Sequence, residues 1–372
     1  MRNNIDEVIA KVSDKLRRTV PEAAKNHNVP YASRDGKWVE SPWSLGNSWW
    51  TAGFWPGMMW LMNALTPDEI FRQEALRTTE LMTEEFRVYR HLNHDVGFMY
   101  LLSCGAKHKI DGDEQSKWDT LHAASLLMGR FNPTATPRGG YIKAWDGKDY
   151  AIIDCMMNLP LLYRATRETG DPRFAAVARI HADKAAKHFV RADGSCRHIV
   201  EFDPVTGDFV REHGGQGYCE GSSWSRGQAW ALYGFTLLAM NTGDPADLAT
   251  AERIARYFAA NIREDGLTDC DFRQPKDVCR LDNIAGACAA CGFLELAKLT
   301  GKNEYRAAGE TLLDGLIDHC VDFGDQYCGL LTHCTAAYHD DNVGTHTNIT
   351  YGDYFFVEAL CKVKGVDPML WI

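Results

Sequence analysis

A glycine-rich stretch and the aromatic stretch after it carry a dense set of chemically useful side chains. Residues 214–218 read Gly-Gly-Gln-Gly-Tyr, and residues 224–230 read Trp-Ser-Arg-Gly-Gln-Ala-Trp. Arg226 and Trp230 are four positions apart, so on a helix they project from one face. A guanidinium offers a planar pair of donors to a carboxylate, and an indole offers a flat apolar surface to a sugar ring. The segment alone is equally compatible with a buried aromatic helix and a satisfied arginine.

Four aspartates stand where apolar runs begin: Asp95, Asp154, Asp282 and Asp353. Aspartate is a favoured N-terminal helix cap, so capping is the simpler interpretation of each one alone. Several carboxylates in one cleft would instead support general acid–base catalysis. If two lie close together they cannot both ionise freely, and one keeps a proton that it can donate near neutral pH. All four remain candidates at this point.

The histidines His94, His198 and His213 lie near these segments and are weaker candidates, because a lone histidine is more often structural than catalytic. The sequence has no Ser–His–Asp order, nucleophile elbow, phosphate loop or HExxH motif. Redox, phosphoryl-transfer and metalloprotease functions therefore lack support. Aromatic residues combined with carboxylates favour an enzyme that acts on carbohydrates.

The elements that must position these groups follow a repeated pattern. Residues 161–172, 237–245 and 294–302 each read as an apolar helix stopped by a glycine, followed by a tight turn and a second helix. After the first of these turns, apolar residues recur at spacings of three and four, as on the buried face of a helix. They are Phe174, Val177, Ala178, Ala182, Ala185 and Phe189.

The same pattern predicts inner and outer helices in alternation along the chain. The inner helices are expected at 53–65, 95–105, 152–169, 225–242, 283–300 and 352–363, and the outer ones at 3–19, 68–90, 114–131, 172–190, 245–263 and 303–320. A helical hairpin with one apolar stripe must stack on neighbours to bury it. The alternation therefore predicts an all-α fold, an (α/α)6 barrel, as a single domain over residues 1–372.

The connections that lead into the inner helices are long, whereas the turns after them are short. These long connections are 30–52, 132–151, 191–224, 264–282 and 321–350. Because the inner helices of such a barrel all point the same way, the long connections share one rim. Functional groups usually lie on long loops carried by a rigid scaffold, so the active cleft is expected at this rim.

Composition narrows the possible partners. The net charge of −10 argues against a nucleic-acid surface, which needs a basic stripe. The first 20 residues mix charges with apolar side chains and indicate neither a signal peptide nor a membrane span.

The 12 cysteines lie mostly in apolar segments, which predicts reduced, buried thiols in a cytoplasmic protein. Cys288 and Cys291 form a CxxC pair, but a second pair is missing, so a metal site is not expected there.

Several segments together resemble the unsaturated glucuronyl hydrolases, glycoside hydrolase family 88. One such segment alone would be weak evidence, but the matches run in order from about residue 50 to 360. The matching segments are 53–57 (GFWPG), 94–98 (HDVGF), 154–158 (DCMMN), 215–218 (GQGY), 224–230 (WSRGQAW) and 352–356 (GDYFF).

The resemblance implies a reaction and two catalytic residues. Members of this family remove the 4,5-unsaturated uronic acid that polysaccharide lyases leave at the non-reducing end of an oligosaccharide, by hydrating the vinyl ether double bond. Asp154 would be the general acid that protonates C4 and then the base that activates water for attack at C5. Asp95 would be the second carboxylate, which influences the charge of Asp154. An ionised carboxylate would also stabilise the oxocarbenium-like cation formed on protonation.

The resemblance also carries over a set of substrate-binding residues and implies no metal or organic cofactor. Arg226 would hold the uronate carboxylate, and the tryptophans would provide stacking faces. Either Trp49 or Trp50 would match the family's rim tryptophan. The set comprises His94, Trp145, His198, Gln216, Arg226 and Trp230, with Trp49 and Trp50 as the two alternatives.

One stretch departs from the family pattern. Members that act on sulfated fragments tend to carry a serine- and lysine-containing motif before the last inner helix, whereas residues 342–350 contain neither amino acid. Three other functions are weighed against the first. They are an unsaturated rhamnogalacturonyl hydrolase acting on pectin-derived disaccharides, a conventional inverting glycosidase, and a non-catalytic sugar-binding toroid.

Overall fold

The computed structural model describes residues 1–41, 45–88, 91–135, 139–340 and 344–372, and within these ranges the chain is mainly helical. The short strands lie in the connections, as expected. The helices are α1 (Ile5–Ala23), α2 (Phe54–Leu65), α3 (Glu69–Val88), α4 (Val96–Leu102), α5 (Cys104–Asp111), α6 (Glu114–Gly129), α7 (Cys155–Thr169), α8 (Pro172–His188), α9 (Ser225–Thr242), α10 (Pro245–Ala259), α11 (Asn283–Thr300), α12 (Asn303–His319) and α13 (Thr350–Lys364). The strands are β1 (Ala32–Arg34), β2 (Lys37–Val39), β3 (Phe131–Asn132), β4 (Tyr141–Ile142), β5 (Tyr150–Ile152), β6 (Ile199–Phe202), β7 (Phe209–His213) and β8 (Asn348–Ile349).

The predicted glycine stops and tight turns are confirmed. Helices α7, α9 and α11 end at Gly170, Gly243 and Gly301, each in the left-handed conformation that a glycine adopts without a Cβ clash. Asp171 and Asp244 then cap α8 and α10, and each of those helices begins with a proline. Each hairpin is therefore closed by a turn of only two residues.

The helices pack in two layers. Helices α2, α4, α7, α9, α11 and α13 contact one another in that order, and α13 contacts α2, so the contacts form a closed ring. Around them, α3 packs on α2, α6 on α4 and α5, α8 on α7, α10 on α9 and α12 on α11, while α1 contacts α3 and α13. The ring helices are apolar nearly all round, and every residue of α9 from Ser225 to Ala239 is buried. One large buried cluster extends from Val8 to Trp371.

The helix expected at 95–105 is interrupted, which is a correction. Helix α4 ends at Leu102 and α5 begins at Cys104, because Ser103 between them adopts φ −105° and ψ −92°, outside the helical region. The Ser103 hydroxyl donates to the Met99 carbonyl at 2.6 Å, in place of the regular backbone pattern. The second inner element of the ring is consequently short, and α5 leads outward toward α6.

The long connections carry three small antiparallel sheets. Strands β2, β1 and β8 form one sheet, β3 and β4 a second, and β5, β6 and β7 a third. The third sheet leads directly into α7 through Ile152, so it fixes the chain immediately before Asp154. Among the described residues, no helix is long and apolar enough to cross a lipid bilayer.

Candidate active site

A cavity of about 370 Å³ lies where α4 and α7 begin, and it contains both Asp95 and Asp154. The structure therefore brings together the two aspartates proposed as the catalytic pair. Residues distant in sequence complete the cavity wall. The lining consists of Tyr31, Trp49, Trp50, Asn93, His94, Asp95, Trp145, Ile152, Asp154, His198, Ile199, Gly215, Gln216, Ala336, Ala337, Asp340 and Tyr351.

Asp95 and Asp154 occupy N-cap positions without capping their helices. Neither side chain accepts a hydrogen bond from the first turn that follows it. Asp282, by contrast, caps α11 by accepting from the backbone N–H of Ile284 at 3.2 Å. The carboxylates of Asp95 and Asp154 thus remain directed at the cavity rather than at the helix ends.

Asp353, like Asp282, does not line the cavity. It lies in the first turn of α13, where its carboxylate accepts from the backbone N–H of Leu331 at 2.6 Å and from the Asn348 amide at 2.8 Å. Its role is to hold the loop before α13. Two of the four aspartates thus have structural contacts, and two face the cavity.

Burial changes the ionisation of the pair. Removal from water raises the pKa of Asp154 from 3.8 to about 7, although the positive charge of Arg226 partly opposes this increase. Burial also raises the pKa of Asp95 well above its usual value, and repulsion from Asp154 raises it further. Because two neighbouring carboxylates cannot both ionise freely, the pair retains a proton near neutral pH. One carboxyl group can therefore donate while the other is ionised.

Asn158, which lies in the 154–158 segment but was not predicted to be a site residue, connects the two aspartates. Its Oδ1 accepts from the Phe98 backbone N–H at 2.8 Å, and its Nδ2 donates to the Asp154 carbonyl at 3.1 Å. Hydrogen bonding from Asn158 also opposes the increase in the Asp95 pKa. A polar residue one turn into the apolar α7 was the signal that could have identified it.

Gly97 allows α4 and α7 to approach at this point. A Cβ on Gly97 would lie 2.5 Å from the Asn158 Oδ1 and 2.6 Å from its Cα, both shorter than real contacts. Only glycine therefore permits this helix crossing without a backbone shift. The separation between Asp95 and Asp154 depends on that crossing.

His94 and His198 flank the pair as neutral rings, because burial lowers the pKa of each to about 3. The Nε2 of His94 lies 3.5 Å from Asp95 Oδ1, and the Nε2 of His198 lies 3.9 Å from Asp154 Oδ1. The Nδ1 of His198 lies 3.1 Å from the backbone nitrogen of Gln216 and 3.4 Å from the Gly214 carbonyl oxygen, and these contacts orient the ring. His198 therefore presents a neutral ring toward Asp154.

His213, the third histidine candidate, does not line this cavity. Its Nε2 lies 2.8 Å from a Glu201 carboxylate oxygen on the neighbouring strand β6, and its ring packs on Tyr150. The histidine stabilises the small sheet instead.

Trp49, Trp50 and Trp145 all line the cavity, so both of the alternative rim tryptophans are present. Trp50 packs against Tyr351 with ring centroids 5.0 Å apart. Trp145 is 40% exposed and stands at the cavity edge. Gln216 also lines the cavity.

Arg226 and Trp230, which the resemblance implies as substrate-binding residues, do not line the cavity in this structure. Both side chains are fully buried. The Arg226 guanidinium donates to Asp282 at 2.7 Å and to the Thr335 carbonyl at 2.7 Å. Trp230 packs against Phe98 with ring centroids 5.1 Å apart. The positions of residues 224–230 fit a buried aromatic helix whose arginine is paired through its terminal nitrogens, while the Arg226 Nε finds no partner among the described residues.

Arg226 still contributes to the cavity from behind its wall. It donates to the Ala336 carbonyl at 2.5 Å, and the Gln216 side-chain amide donates to the same oxygen at 2.7 Å. Ala336 lines the cavity, so Arg226 fixes the backbone of one wall. Its positive charge also acts on Asp154.

Tyr31, Asn93, Asp340 and Tyr351 line the cavity but were not singled out from the sequence. Tyr31 follows α1 and Asp340 precedes α13, so chain segments about 300 residues apart meet here. Helical periodicity and spacing contain no signal for such loop residues. Only the packing of the rim brings them together.

The cysteines show no arrangement for metal binding. All 12 are free thiols, and all except Cys219 and Cys279 are buried. Cys288 and Cys291 lie inside α11. In the part of the chain that the structure describes, no group of three or more potential ligands is placed to hold a metal ion. The stretch 342–350 contains neither lysine nor serine. Of its residues, 342 and 343 lie outside the described part of the chain.

Comparison with known proteins identifies a matching family and several similar proteins. The family model described as Glycosyl Hydrolase Family 88 matches residues 12–264. The unsaturated glucuronyl hydrolase of Bacillus sp. strain GL1 is 36% identical over 340 residues, covering 87% of this chain and 89% of that protein. The unsaturated chondroitin disaccharide hydrolase of Streptococcus pneumoniae is 32% identical over 343 residues, covering 88% and 85%. The crystal structure of an unsaturated glucuronyl hydrolase from Bacillus sp. GL1, described as responsible for the degradation of glycosaminoglycan, matches with a TM-score of 0.88 and 34% identity, covering 97% and 98%.

Proposed function

Because the chain belongs to glycoside hydrolase family 88, we propose that it removes the 4,5-unsaturated uronic acid from the non-reducing end of oligosaccharides produced by polysaccharide lyases. The main observation is the pair of buried carboxyl groups in one cavity, Asp95 and Asp154, with the pKa of Asp154 raised to about 7. The names of the relatives, unsaturated glucuronyl hydrolase and unsaturated chondroitin disaccharide hydrolase, support this substrate class.

The reaction adds water across the C4=C5 bond of the uronic acid. The protonated Asp154 donates its proton to C4, and the electron pair of the double bond forms the new C4–H bond. The positive charge at C5 is shared with the ring oxygen and is offset by the Asp154 carboxylate that proton donation leaves behind. The Asp154 carboxylate then takes a proton from water while the water oxygen bonds to C5. The C5 hemiketal opens to a ketone and leaves C1 as a hemiacetal. Breakdown of the hemiacetal breaks the C1–O bond and releases the aglycone as an alcohol, and Asp154 ends protonated as it began.

Neutral groups would hold the sugar in this site. His94, His198 and Gln216 offer donors to the hydroxyl and carboxylate groups, while Trp49, Trp50 and Trp145 offer ring faces. The raised pKa of Asp154 favours such neutral partners, because an adjacent cation would lower that pKa. Arg226 supports the wall of the site through the Ala336 carbonyl, and Trp230 packs behind it against Phe98.

We also propose the barrel type and the domain boundaries. The closed ring of six helices, each with an outer partner, supports an (α/α)6 barrel, and the buried cluster from Val8 to Trp371 supports one domain over residues 1–372. The free thiols are consistent with a cytoplasmic location. The substrate is the one partner proposed.

The test is hydrolysis of an unsaturated chondroitin disaccharide, measured as the loss of its double-bond absorbance. In D2O the product should carry deuterium at C4, because protonation occurs at that carbon. A saturated disaccharide should not be cleaved. Cleavage of the saturated compound without deuterium at C4 would indicate a conventional inverting glycosidase instead.

The same assay separates the remaining alternatives. Preference for an unsaturated rhamnogalacturonan disaccharide over the chondroitin one would identify the pectin-directed activity. Binding of either compound without turnover would indicate a sugar-binding protein, and Asp154→Asn would then leave the affinity nearly unchanged.

A further inference from the structure

Asp271 is fully buried and does not line the cavity that contains the two aspartates. Its carboxylate accepts three hydrogen bonds from residues 214–223, called the glycine-rich loop here. The Oδ1 atom accepts from the Ser223 backbone N–H at 3.0 Å. The Oδ2 atom accepts from the Tyr218 backbone N–H at 3.0 Å and from the Ser222 hydroxyl at 2.6 Å. Because hydrogen bonds to a carboxylate are stronger than those between neutral groups, Asp271 anchors this loop.

The two residues after Asp271 bind the same loop. The backbone N–H of Phe272 donates to the Ser223 carbonyl at 2.9 Å. The Arg273 guanidinium donates to the Gly221 carbonyl at 2.8 Å, and the Arg273 backbone N–H donates to Asp271 Oδ1 at 2.9 Å. The last of these bonds holds the carboxylate in place while it accepts from the loop. Consecutive residues of one segment therefore fix both donors and acceptors of the loop.

The other end of the glycine-rich loop reaches the candidate active site. Gly215 and Gln216 line the cavity. Gly215 packs directly on His198, since a Cβ on this glycine would overlap the His198 Nδ1. The Gln216 backbone nitrogen lies 3.1 Å from the same Nδ1, and the His198 Nε2 lies 3.9 Å from Asp154 Oδ1. A displacement of the loop would therefore move both a wall of the cavity and the histidine beside Asp154.

The loop also fixes a second segment of the cavity wall. The Gln216 carbonyl accepts from the Tyr338 backbone N–H at 2.9 Å, and the Gln216 side-chain amide donates to the Ala336 carbonyl at 2.7 Å. The His339 Nε2 lies 2.6 Å from the Tyr218 carbonyl oxygen. Because Ala336 lines the cavity, the position of the loop sets the position of this wall as well.

We propose that Asp271 is a positioning residue for the hydrolase reaction. It does not touch the substrate, but it holds the glycine-rich loop where Gln216 lines the cavity and His198 is oriented beside Asp154. This inference rests on the proposed function and adds a residue to it. Asp95 and Asp154 are carried by the starts of α4 and α7 rather than by the loop. Loss of the anchor should therefore raise KM more than it lowers kcat.

Three substitutions test the anchor. Asp271→Asn keeps the shape of the side chain but replaces one acceptor oxygen by an NH2 group, so two of the donors that face the carboxylate lose their acceptor. Ser222→Ala removes one of the bonds to the loop and is the milder variant. Asp269→Asn is the matched control, because it makes the same change two residues earlier, where the carboxylate instead pairs with Arg263 at 3.0 Å.

The experiment measures kcat and KM for an unsaturated chondroitin disaccharide, together with hydrogen exchange of the protein followed by mass spectrometry. We expect Asp271→Asn to raise KM about tenfold or more and to lower kcat by a smaller factor, because the loop loses charge-assisted hydrogen bonds. The backbone N–H groups of residues 214–223 should exchange faster in this variant, whereas those of α7 should keep their wild-type rates. Ser222→Ala should raise KM by about two- to fivefold. Asp269→Asn should behave as the wild type does.

An unchanged KM in Asp271→Asn, even with a lower Tm, would leave Asp271 with a structural role alone and overturn the inference. A raised KM without faster exchange in the loop, or an equal rise in Asp269→Asn, would also overturn it, because the effect would not pass through the anchor. Should Asp271→Asn fail to fold, Ser222→Ala decides the question by the same two measurements. Absence of activity in the wild type would instead refute the proposed function, while the exchange rates would still test whether Asp271 anchors the loop.

Discussion

At the residue scale, the burial of Asp154 gives the carboxyl group a pKa of about 7, within the range where it can both donate and accept a proton. Replacing it with asparagine keeps the shape and removes the transferable proton. We expect Asp154→Asn to lower turnover of an unsaturated disaccharide by about 10²–10⁴-fold, the usual contribution of general acid–base catalysis. Circular dichroism should show an unchanged fold.

Asp325→Asn is the matched control for this prediction, because its carboxylate is 89% exposed and lies outside the cavity. Its turnover should match that of the wild type. Near-normal turnover of Asp154→Asn would remove Asp154 from the acid–base role.

The same carboxyl group makes stability depend on pH. Its pKa is about 7 in the folded protein and about 3.9 in an unfolded chain, so the folded state binds the proton more tightly. The free energy of unfolding should therefore decrease as pH rises from about 4 to about 7. Because Asp154→Asn lacks this carboxylate, its Tm advantage over the wild type should be small at pH 4 and largest near pH 8. A constant Tm difference over this range would contradict the raised pKa.

Arg226 is a predicted substrate-binding residue that the structure places behind the cavity wall. It is fully buried and paired with Asp282 at 2.7 Å, so Arg226→Ala would leave a buried carboxylate without its partner. We expect a loss of about 3–5 kcal/mol in the free energy of unfolding, measured by denaturant titration. Adding Asp282→Asn should restore part of that loss, because it removes the unpaired charge. A variant with unchanged stability and a raised KM would instead indicate direct contact with the substrate.

At the scale of the elements, the crossing of α4 and α7 sets the separation of the two aspartates proposed as catalytic. In Gly97→Ala, the new Cβ would lie 2.5 Å from the Asn158 Oδ1, so the helices must move apart. We expect a loss of about 1–3 kcal/mol in the free energy of unfolding, together with lower turnover. Thermal melting and the disaccharide assay measure the two effects.

Gly129→Ala serves as the control for Gly97→Ala, because its added methyl group meets no neighbour and alanine favours the helix. Its Tm should stay unchanged or rise. Equal behaviour of the two variants would show that the α4–α7 crossing is not tight.

At the scale of the whole molecule, Trp371 joins several helices of the ring. Its buried ring contacts Phe54 and Phe98 with centroids 6.4 Å and 6.0 Å apart, and its Nε1–H donates to Glu358 at 3.1 Å. We expect Trp371→Ala to cost about 3–5 kcal/mol, as for other buried tryptophans, and to lower the Tm. Because Trp371 does not line the cavity, KM for the disaccharide should stay near the wild-type value at low temperature.

Trp118 offers the comparison for Trp371, since it is 54% exposed on α6. Trp118→Ala should change the free energy of unfolding by less than about 0.5 kcal/mol. A large KM change in Trp371→Ala would show that the packing around Trp371 affects substrate binding in the cavity.

The sequence by itself determined most of the helices and the family to which the chain belongs. Apolar periodicity and the glycine stops at Gly170, Gly243 and Gly301 predicted the hairpins closely, because these signals are local. The motifs around Asp95 and Asp154 indicated the two carboxylates by resemblance. The interruption at Ser103 was not predicted, because apolar periodicity does not reveal the local bond from the Ser103 hydroxyl to the Met99 carbonyl.

Only the tertiary structure decided which polar groups reach the substrate cavity. Asp95 and Asp282 share a residue type and a position before a helix, yet one faces the cavity and the other is neutralised by Arg226. Spacing along one helix cannot make this distinction, because the partner lies on another element. Tyr31 and Asp340 enter the same cavity from opposite ends of the chain, and closure of the ring is the physical reason that they meet.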